Sequence, residues 1–421
     1  SRQPSVHPYA FGEPIEQKNP GAPVQAGDTL VLRSGFHGTI FAAEYYNEDY
    51  IVIEADRGHV PLLGRIELRS GCKWILRGLH ISPSHDAAYT TGTLVDFSSH
   101  GWTGPSYDCI IEDCRLYSVA DVANWTMEDW NTLACNGINL PGERMVCRNN
   151  HLQNVNFGIT VSGGFCRVEG NTVENFAGDG LRGLGDYGVF QYNTVKNCYD
   201  VNANHDDGFQ SWSRGADGQV GTGTVKGIVL RGNTFINYEE PDQPFRGTLQ
   251  GIGCFDGMFE DWVVENNLVR VDHWHGITLS GAVNCRIVNN TVVDINNQRP
   301  GPSWIRIGDH KNGTPSRDCV IQNNIATAFS FDAGVTVDYN LQVAWEDYVE
   351  VFRNPAAADF HLKAGSVAID AGSSEGCPPL DKDGLARPRG SACDLGAYEF
   401  TSAGLVPVLD LLVGGEAAAG D

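Results

Sequence analysis

One phrase recurs along this chain and restricts its fold more than any other feature. In order it reads IIEDCRLYSV, VCRNNHLQNV, RVEGNTVENF, FQYNTVKNCY, VLRGNTFINY, VVENNLVRVD, RIVNNTVVDI and VIQNNIATAF. The anchoring asparagines are Asn150, Asn171, Asn193, Asn233, Asn267, Asn290 and Asn324, with Cys114 in the same place one unit earlier. The closest anchors are 21 to 23 residues apart, and wider gaps hold inserted loops. Three residues before each anchor stand Ile111, Cys147, Val168, Phe190, Leu230, Val264, Ile287 and Ile321; two after stand Leu116, Leu152, Val173, Val195, Phe235, Val269, Val292 and Ala326. Apolar alternation inside a repeat of this length is strand patterning in a solenoid, each coil burying its face against the next.

A second strand follows each unit: GINLP, GITVS, GLRGL, GFQSW, GIGCF, GITLS and WIRIG, with Ile138, Ile159, Leu181, Phe209, Ile252, Ile277 and Ile305 inward. Short parallel strands stacked coil on coil make an all-β parallel β-helix. Each inward aliphatic contributes roughly 1.5–3 kcal/mol when fully buried. The asparagine column suits this fold, because its amides can bond to their counterparts above and below and asparagine tolerates left-handed backbone. Most cysteines fall on inward columns and read as small stacked hydrophobes, whereas Cys377 and Cys393 lie in the C-terminal segment as a candidate disulfide.

Composition excludes several partners. Fifty glycines, 19 prolines and three methionines fit many turns and few helices, and 41% hydrophobic residues suffice for a core. The balance of 29 basic against 52 acidic residues, −23 overall, speaks against nucleic acid and anionic membrane surfaces. No apolar run reaches the roughly 18 residues of a bilayer span. The opening SRQPSVHPYA lacks the basic and apolar regions of a signal peptide, so a leader was removed or none existed.

Insertions at 199–207, 239–250 and 297–304, and again at 213–226 and 309–318, flank the second strand of each unit, making that strip the floor of a groove. Outward floor positions are Asn139, Thr160, Arg182, Gln210, Gly253, Thr278 and Arg306, followed by Ser162, Leu184, Trp212, Phe255 and Ser280. Hydroxyl-seeking polar groups beside aromatic rings suit a sugar, although packing of Trp212 and Phe255 beneath the loop SRGADGQVGTGT explains them equally. The turn before each floor strand reads Asn136, Phe157, Asp179, Asp207, Gln250, His275 and Ser303. Adjacent coils are about 4.8 Å apart, which stacks Asp179 and Asp207, brings His205 and Asp206 beside them, and sets His275 two coils away. Carboxylates so close cannot both ionise cheaply, so one becomes a proton donor. An acid, a second carboxylate and a histidine suffice for glycosidic hydrolysis. Ordinary Asp-Gly turn chemistry, or Ca²⁺ held by Asp179 and Asp207, are the alternatives.

The pattern resembles the right-handed β-helix superfamily of pectate lyases, polygalacturonases, alginate lyases and phage tailspikes. AGDTLVLRSGFHGT and CKWILRGLHI resemble the first coils of the chondroitinase B and alginate lyase family, and FHLKAGSVAIDAG with DKDGLARPRGSACDLGAYEF resembles a C-terminal segment of secreted bacterial β-helix proteins. NHDDGF, WHGITLSG and WIRIG are similar to the polygalacturonase series. That resemblance implies acid/base carboxylates at Asp206 and Asp207, a first aspartate at Asp179, a histidine at His275 and a substrate-gripping arginine at Arg306. Trp274 and Gly308 depart from the series, standing where it has glycine and lysine, and an additional coil (251–255) separates the aspartates from His275.

The expectation is one right-handed parallel β-helix over 28–340, an N-terminal cap over 1–27, a C-terminal capping segment over 341–400 and a tail over 401–421. It binds a polysaccharide outside the cell or on a cell or virion surface. Hydrolysis by Asp179, Asp206, Asp207 and His275 leads, with His205, Gln210, Trp212, Phe255, Trp274 and Arg306 holding substrate. β-Elimination of a uronate glycan centred on Arg182 with Ca²⁺ comes second, and a non-catalytic adhesin third. The protein is expected as a monomer or a tailspike-like homotrimer, with GLVPVLDLLVGG (404–415) as the apolar contact of the latter.

Overall fold

A computed structural model describes residues 24–402. Each coil contributes one strand to each of three parallel sheets, and the chain is a single right-handed parallel β-helix. The floor sheet runs through Asn136–Leu140, Ile159–Val161, Leu181–Gly183, Asp207–Trp212, Gln250–Asp256, His275–Ser280 and Trp304–Gly308. The long strands Thr39–Ala55 and Arg65–Arg77 turn the corner from this sheet into the second, so hydrogen bonding joins the two into 21 strands. The third sheet has 12 strands.

The apolar alternation becomes coil-to-coil register. Ile138, Ile159, Leu181, Phe209, Ile252, Ile277 and Ile305 pair in succession. All are 0–2% exposed. The asparagines form a continuous internal ladder. Asn150 Nδ2 donates to Asn171 Oδ1 at 2.9 Å, and the same bond links each anchor to the next as far as Asn324 and Asn340. Each Oδ1 also accepts the preceding anchor's backbone N–H, as Asn233 does from Asn193 at 3.0 Å. Left-handed backbone is not a property of the anchors themselves. It falls one residue earlier, at Asn149, Gly170, Tyr192, Gly232, Asn266, Asn289 and Asn323, and the anchors turn their amides inward from there.

Ten cysteines are free and all are buried. Cys377 and Cys393 form a disulfide. The segment after Val343 lies along the outside of the third sheet, where Tyr348, Phe352, Phe360, Leu395 and Tyr398 cover Leu268, Val293 and Ile325. Asn266 and Asn289 donate to Leu380 and Asp394 carbonyls there, at 2.7 and 3.0 Å. Most of the expected N-terminal cap and the apolar stretch 404–415 lie outside the described residues. No helix among the described residues is long and apolar enough to cross a membrane.

Candidate functional site

The turn entering each floor strand places one side chain per coil at the groove's edge. Asp207 pairs directly with Gln250, and Leu181 with Phe209, which sets Asp179 one coil from Asp207. A glycine follows each of these acids because coils approach closely there: a Cβ on Gly208 would lie 2.6 Å from Phe235 and 2.7 Å from the Gly251 carbonyl.

The two aspartates and Arg182 form a buried knot. Asp179 Oδ2 accepts Arg182 Nε at 2.5 Å, and its Oδ1 accepts the Asp207 backbone N–H at 3.1 Å. The Arg182 guanidinium lies 3.6 Å from the Phe157 ring centre and 5.3 Å from that of Trp212. Its side chain remains 18% exposed while that of Asp179 is fully covered. Asp207 is also fully buried. Its Oδ2 accepts Gln210 Nε2 at 2.8 Å, whereas its Oδ1 has no partner. Burial and the neighbouring Asp179 push Asp207 far above the usual carboxylate range. Burial raises Asp179 too, but Arg182 and the Asp207 N–H oppose it. The proton of the pair therefore belongs on Asp207.

Asp206 is placed differently from its neighbour. Its carboxylate accepts Cys198 Sγ at 3.4 Å and Asn204 Nδ2 at 2.9 Å, at the end of the third sheet. Burial raises it to about 7. The structure thus brings Asp179, Arg182, Asp207 and Gln210 together and holds Asp206 beside them on Cys198 and Asn204.

Two coils along, the floor is aromatic. His275 Nδ1 and Thr278 Oγ1 are 2.9 Å apart, and Trp304 Nε1 donates to the same hydroxyl at 3.0 Å. Thr278, an outward floor position, is consequently covered. Phe255 meets His275 edge-on at 4.7 Å, and Trp274 lies parallel to Trp304 at 6.4 Å. Trp274 is 38% exposed. His273 lies 5.1 Å from His275. Burial lowers both imidazoles to about 4, helped at His273 by His205 and at His275 by His273 and Arg306. Both are neutral at pH 7. His205 is exposed beside them. Arg306 is tied to Ser330 and, at 3.2 Å, to Asp332.

Calcium wants about six to eight oxygen ligands. The oxygens of Asp179 already hold a guanidinium and an amide, and among the described residues no group of three or more His, Cys, Asp or Glu side chains is arranged for a metal.

Phe157, His273, Trp304 and Asp332 are the parts of this surface absent from the sequence-level site. Phe157 and Gln250 already stood in the turn column, and His273 alternates with His275 about Trp274, which was a legible signal. Trp304 and Asp332 reach the floor only through coil stacking.

No family model matches the sequence. No curated protein matches it either. Among solved structures, the complex of XylC with xylose is similar with a TM-score of 0.54 at 9% identity, covering 90% of this chain and 94% of that one. Pectate lyase Pel9A gives a TM-score of 0.45 at 15% identity, over 95% and 97%. The A-module of the Azotobacter vinelandii mannuronan C-5 epimerase AlgE4 gives 0.44 at 14% identity, over 75% and 89%. At these identities the likeness is one of fold.

Proposed function

We propose that this protein binds a polysaccharide along the floor sheet, outside the cell, and hydrolyses its glycosidic bonds at the Asp179–Asp207 pair. One observation carries the reading: two stacked carboxyls sit in environments that separate their roles, Asp179 on a guanidinium and Asp207 beside no cation of its own. Asp207 supplies the proton to the leaving oxygen as the C–O bond breaks. The Asp179–Arg182 ion pair sets the field around the sugar cation that develops, and water adds to that cation while its proton returns to the Asp207 carboxylate. In the free protein the Gln210 amide covers Asp207. Catalytic hydrogen bonds commonly form only in the complex, so the acid meets its substrate when the glycan enters the groove. Phe255, Trp274 and Trp304 offer ring faces to sugar C–H surfaces, and neutral His275 offers a hydrogen bond. The acidic overall charge favours a neutral glycan over a polyanion. The disulfide supports an oxidising, extracellular setting.

Arg182 favours a second reading. Its terminal nitrogens have no hydrogen-bond partner among the described residues, and a fixed guanidinium facing a groove would neutralise a uronate carboxylate, as β-elimination requires.

A panel of neutral and acidic glycans separates the two. Hydrolysis yields new reducing ends without ultraviolet-absorbing products, and Asp207→Asn abolishes them. Unsaturated, ultraviolet-absorbing products assign elimination instead. Glycan binding with neither product leaves a non-catalytic binding protein.

A further inference from the structure

Asp207 Oδ1 and Gln250 Oε1 are both buried and neither has a hydrogen-bond partner. They come from directly paired residues on adjacent coils. Both face the same spot: a Cβ placed on Gly253 would overlap Asp207 Oδ1 and lie 3.1 Å from Gln250 Oε1 and 3.0 Å from the Phe255 ring. Gly253 is the outward floor position next to Gln210, and its lack of a side chain is what lets the carboxyl lie flat across the coil boundary. The other Asp207 oxygen is taken by Gln210.

Two acceptors sealed together without a donor are costly, on the order of 1–3 kcal/mol for each unsatisfied group. One hydrogen removes both deficits. A protonated carboxyl is a donor, and an amide oxygen is its natural acceptor. We infer that Gln250 is a positioning residue that accepts the hydrogen bond of a protonated Asp207, fixing the proton on Oδ1 over Gly253. Gln210 then marks the oxygen that stays an acceptor, so the two glutamines define which face of the carboxyl carries the proton. The assignment deepens the hydrolytic reading of this site by naming the group that loads its acid, but the shared proton is a property of the free protein and is tested without substrate.

The test is infrared difference spectroscopy of the full chain at neutral pH. The expected result is a protonated-carboxyl C=O band that is absent in Asp207→Asn and moves to higher frequency in Gln250→Met, where the acceptor is gone but the volume is kept. Comparison with Asp207→Asn separates this band from Asp206. Absence of an Asp207-dependent band at neutral pH overturns the inference; it means the Gln250 amide is turned to donate its N–H to an ionised carboxylate. An Asp207-dependent band unchanged in Gln250→Met overturns it as well. If a cleaved glycan is found, Gln250→Met should also bring the alkaline limit of activity down by about one pH unit, the worth of one hydrogen bond. Activity that is missing altogether sinks the hydrolytic reading and leaves the infrared result standing on its own.

Discussion

Arg182 lies over the face of Phe157, 3.6 Å from guanidinium carbon to ring centre, while its Nε is held by Asp179 on its own coil. The arginine is thus fixed by charge on one edge and by an aromatic face beneath it, and it keeps its terminal nitrogens toward the groove. Cation and ring come from successive coils, so the arrangement exists only because the coils stack in register.

Removing that arginine leaves a covered Asp179 carboxyl without its cation. Arg182→Ala should destabilise the fold by about 3–5 kcal/mol, the usual cost of stranding one partner of a buried pair. Adding Asp179→Asn should restore much of that loss. Urea denaturation of the two single variants and the double variant gives the coupling directly. Equal and additive losses would mean that the ion pair does not hold the knot.

The asparagine ladder makes a second claim. Asn193 Oδ1 accepts both the backbone and side-chain N–H of Asn171, at 3.0 Å each, while its own amide donates to Val168 and Asn233. Asn193→Ala therefore orphans two buried donors at once. A loss of about 2–5 kcal/mol is expected from chemical denaturation. A substitution of exposed Asn131, whose amide donates to the Met127 carbonyl on the inserted helix Met127–Leu133 and to Val201 in the neighbouring loop, should cost less.

These two cases show what was legible in the residues. Inward columns and the ladder follow from a repeat in which one position has one environment, so Ile277 and Asn290 announce their neighbours by spacing alone. The groove floor was legible for the same reason, and Asp179, Arg182, Asp207, Gln210 and His275 all take the places that the alignment gives them. Side-chain direction was not. Asp206 and Asp207 are adjacent in NHDDGF, yet one meets Cys198 and the other Gln210. The strand begins only at Asp207, so Asp206 belongs to the inserted turn before it, where no alternation fixes a side chain's direction. Arg306 carried no sign that Asp332 would engage it, because that contact crosses to the next coil through a loop.

Opposing pH effects meet around the floor. Asp206 is raised to about 7 in the fold, so its contribution is complete below its unfolded value near 4 and disappears as pH rises through about 7. His273 and His275 are lowered to about 4, so theirs is complete above about 6.5 and disappears as pH falls through about 4. Asp207, pushed well above the carboxylate range, adds a second loss of the same sign as Asp206, so between these limits two acids oppose two histidines and the effects largely cancel in the wild-type protein. Asp206→Asn should leave stability rising from pH 4 to 6.5, by about 2–4 kcal/mol, and His275→Gln should leave it falling over the same window. Denaturant midpoints across that range check both slopes; parallel profiles for both variants would refute the assignment.

Gly253→Ala tests how tightly the acid is seated. The new Cβ would overlap Asp207 Oδ1, and with Phe255 and Gln250 on either side the carboxyl has to move. Overpacking of this kind costs about 1–3 kcal/mol. Glycan cleavage should fall far more than stability does, because the proton donor is displaced while the inward column through Ile252 is untouched. Retained activity would show that Asp207 acts from another position.

Along the outside of the third sheet, His361 is held between two acids. Its Nδ1 is 2.6 Å from Asp359 and its Nε2 is 2.8 Å from Asp383, while Tyr398 packs on the ring at 4.1 Å. The two carboxylates outweigh burial and raise the imidazole above its ordinary value. A raised pKa stabilises fully below about pH 6.5 and is lost as pH climbs through the folded value. The bond from Asp383 ties the strand Asp359–Leu362 to the turn whose Lys382 donates to the Gly232 carbonyl, so this histidine fastens the segment to the solenoid in acid. His361→Gln should weaken attachment at about pH 5.5 by about 1 kcal/mol, since the groups are partly exposed, and change little at about pH 8.5. Hydrogen exchange of residues 352–362 at the two pH values measures it. Equal protection loss at both would mean that the ring holds the segment by packing on Tyr398 and not by charge.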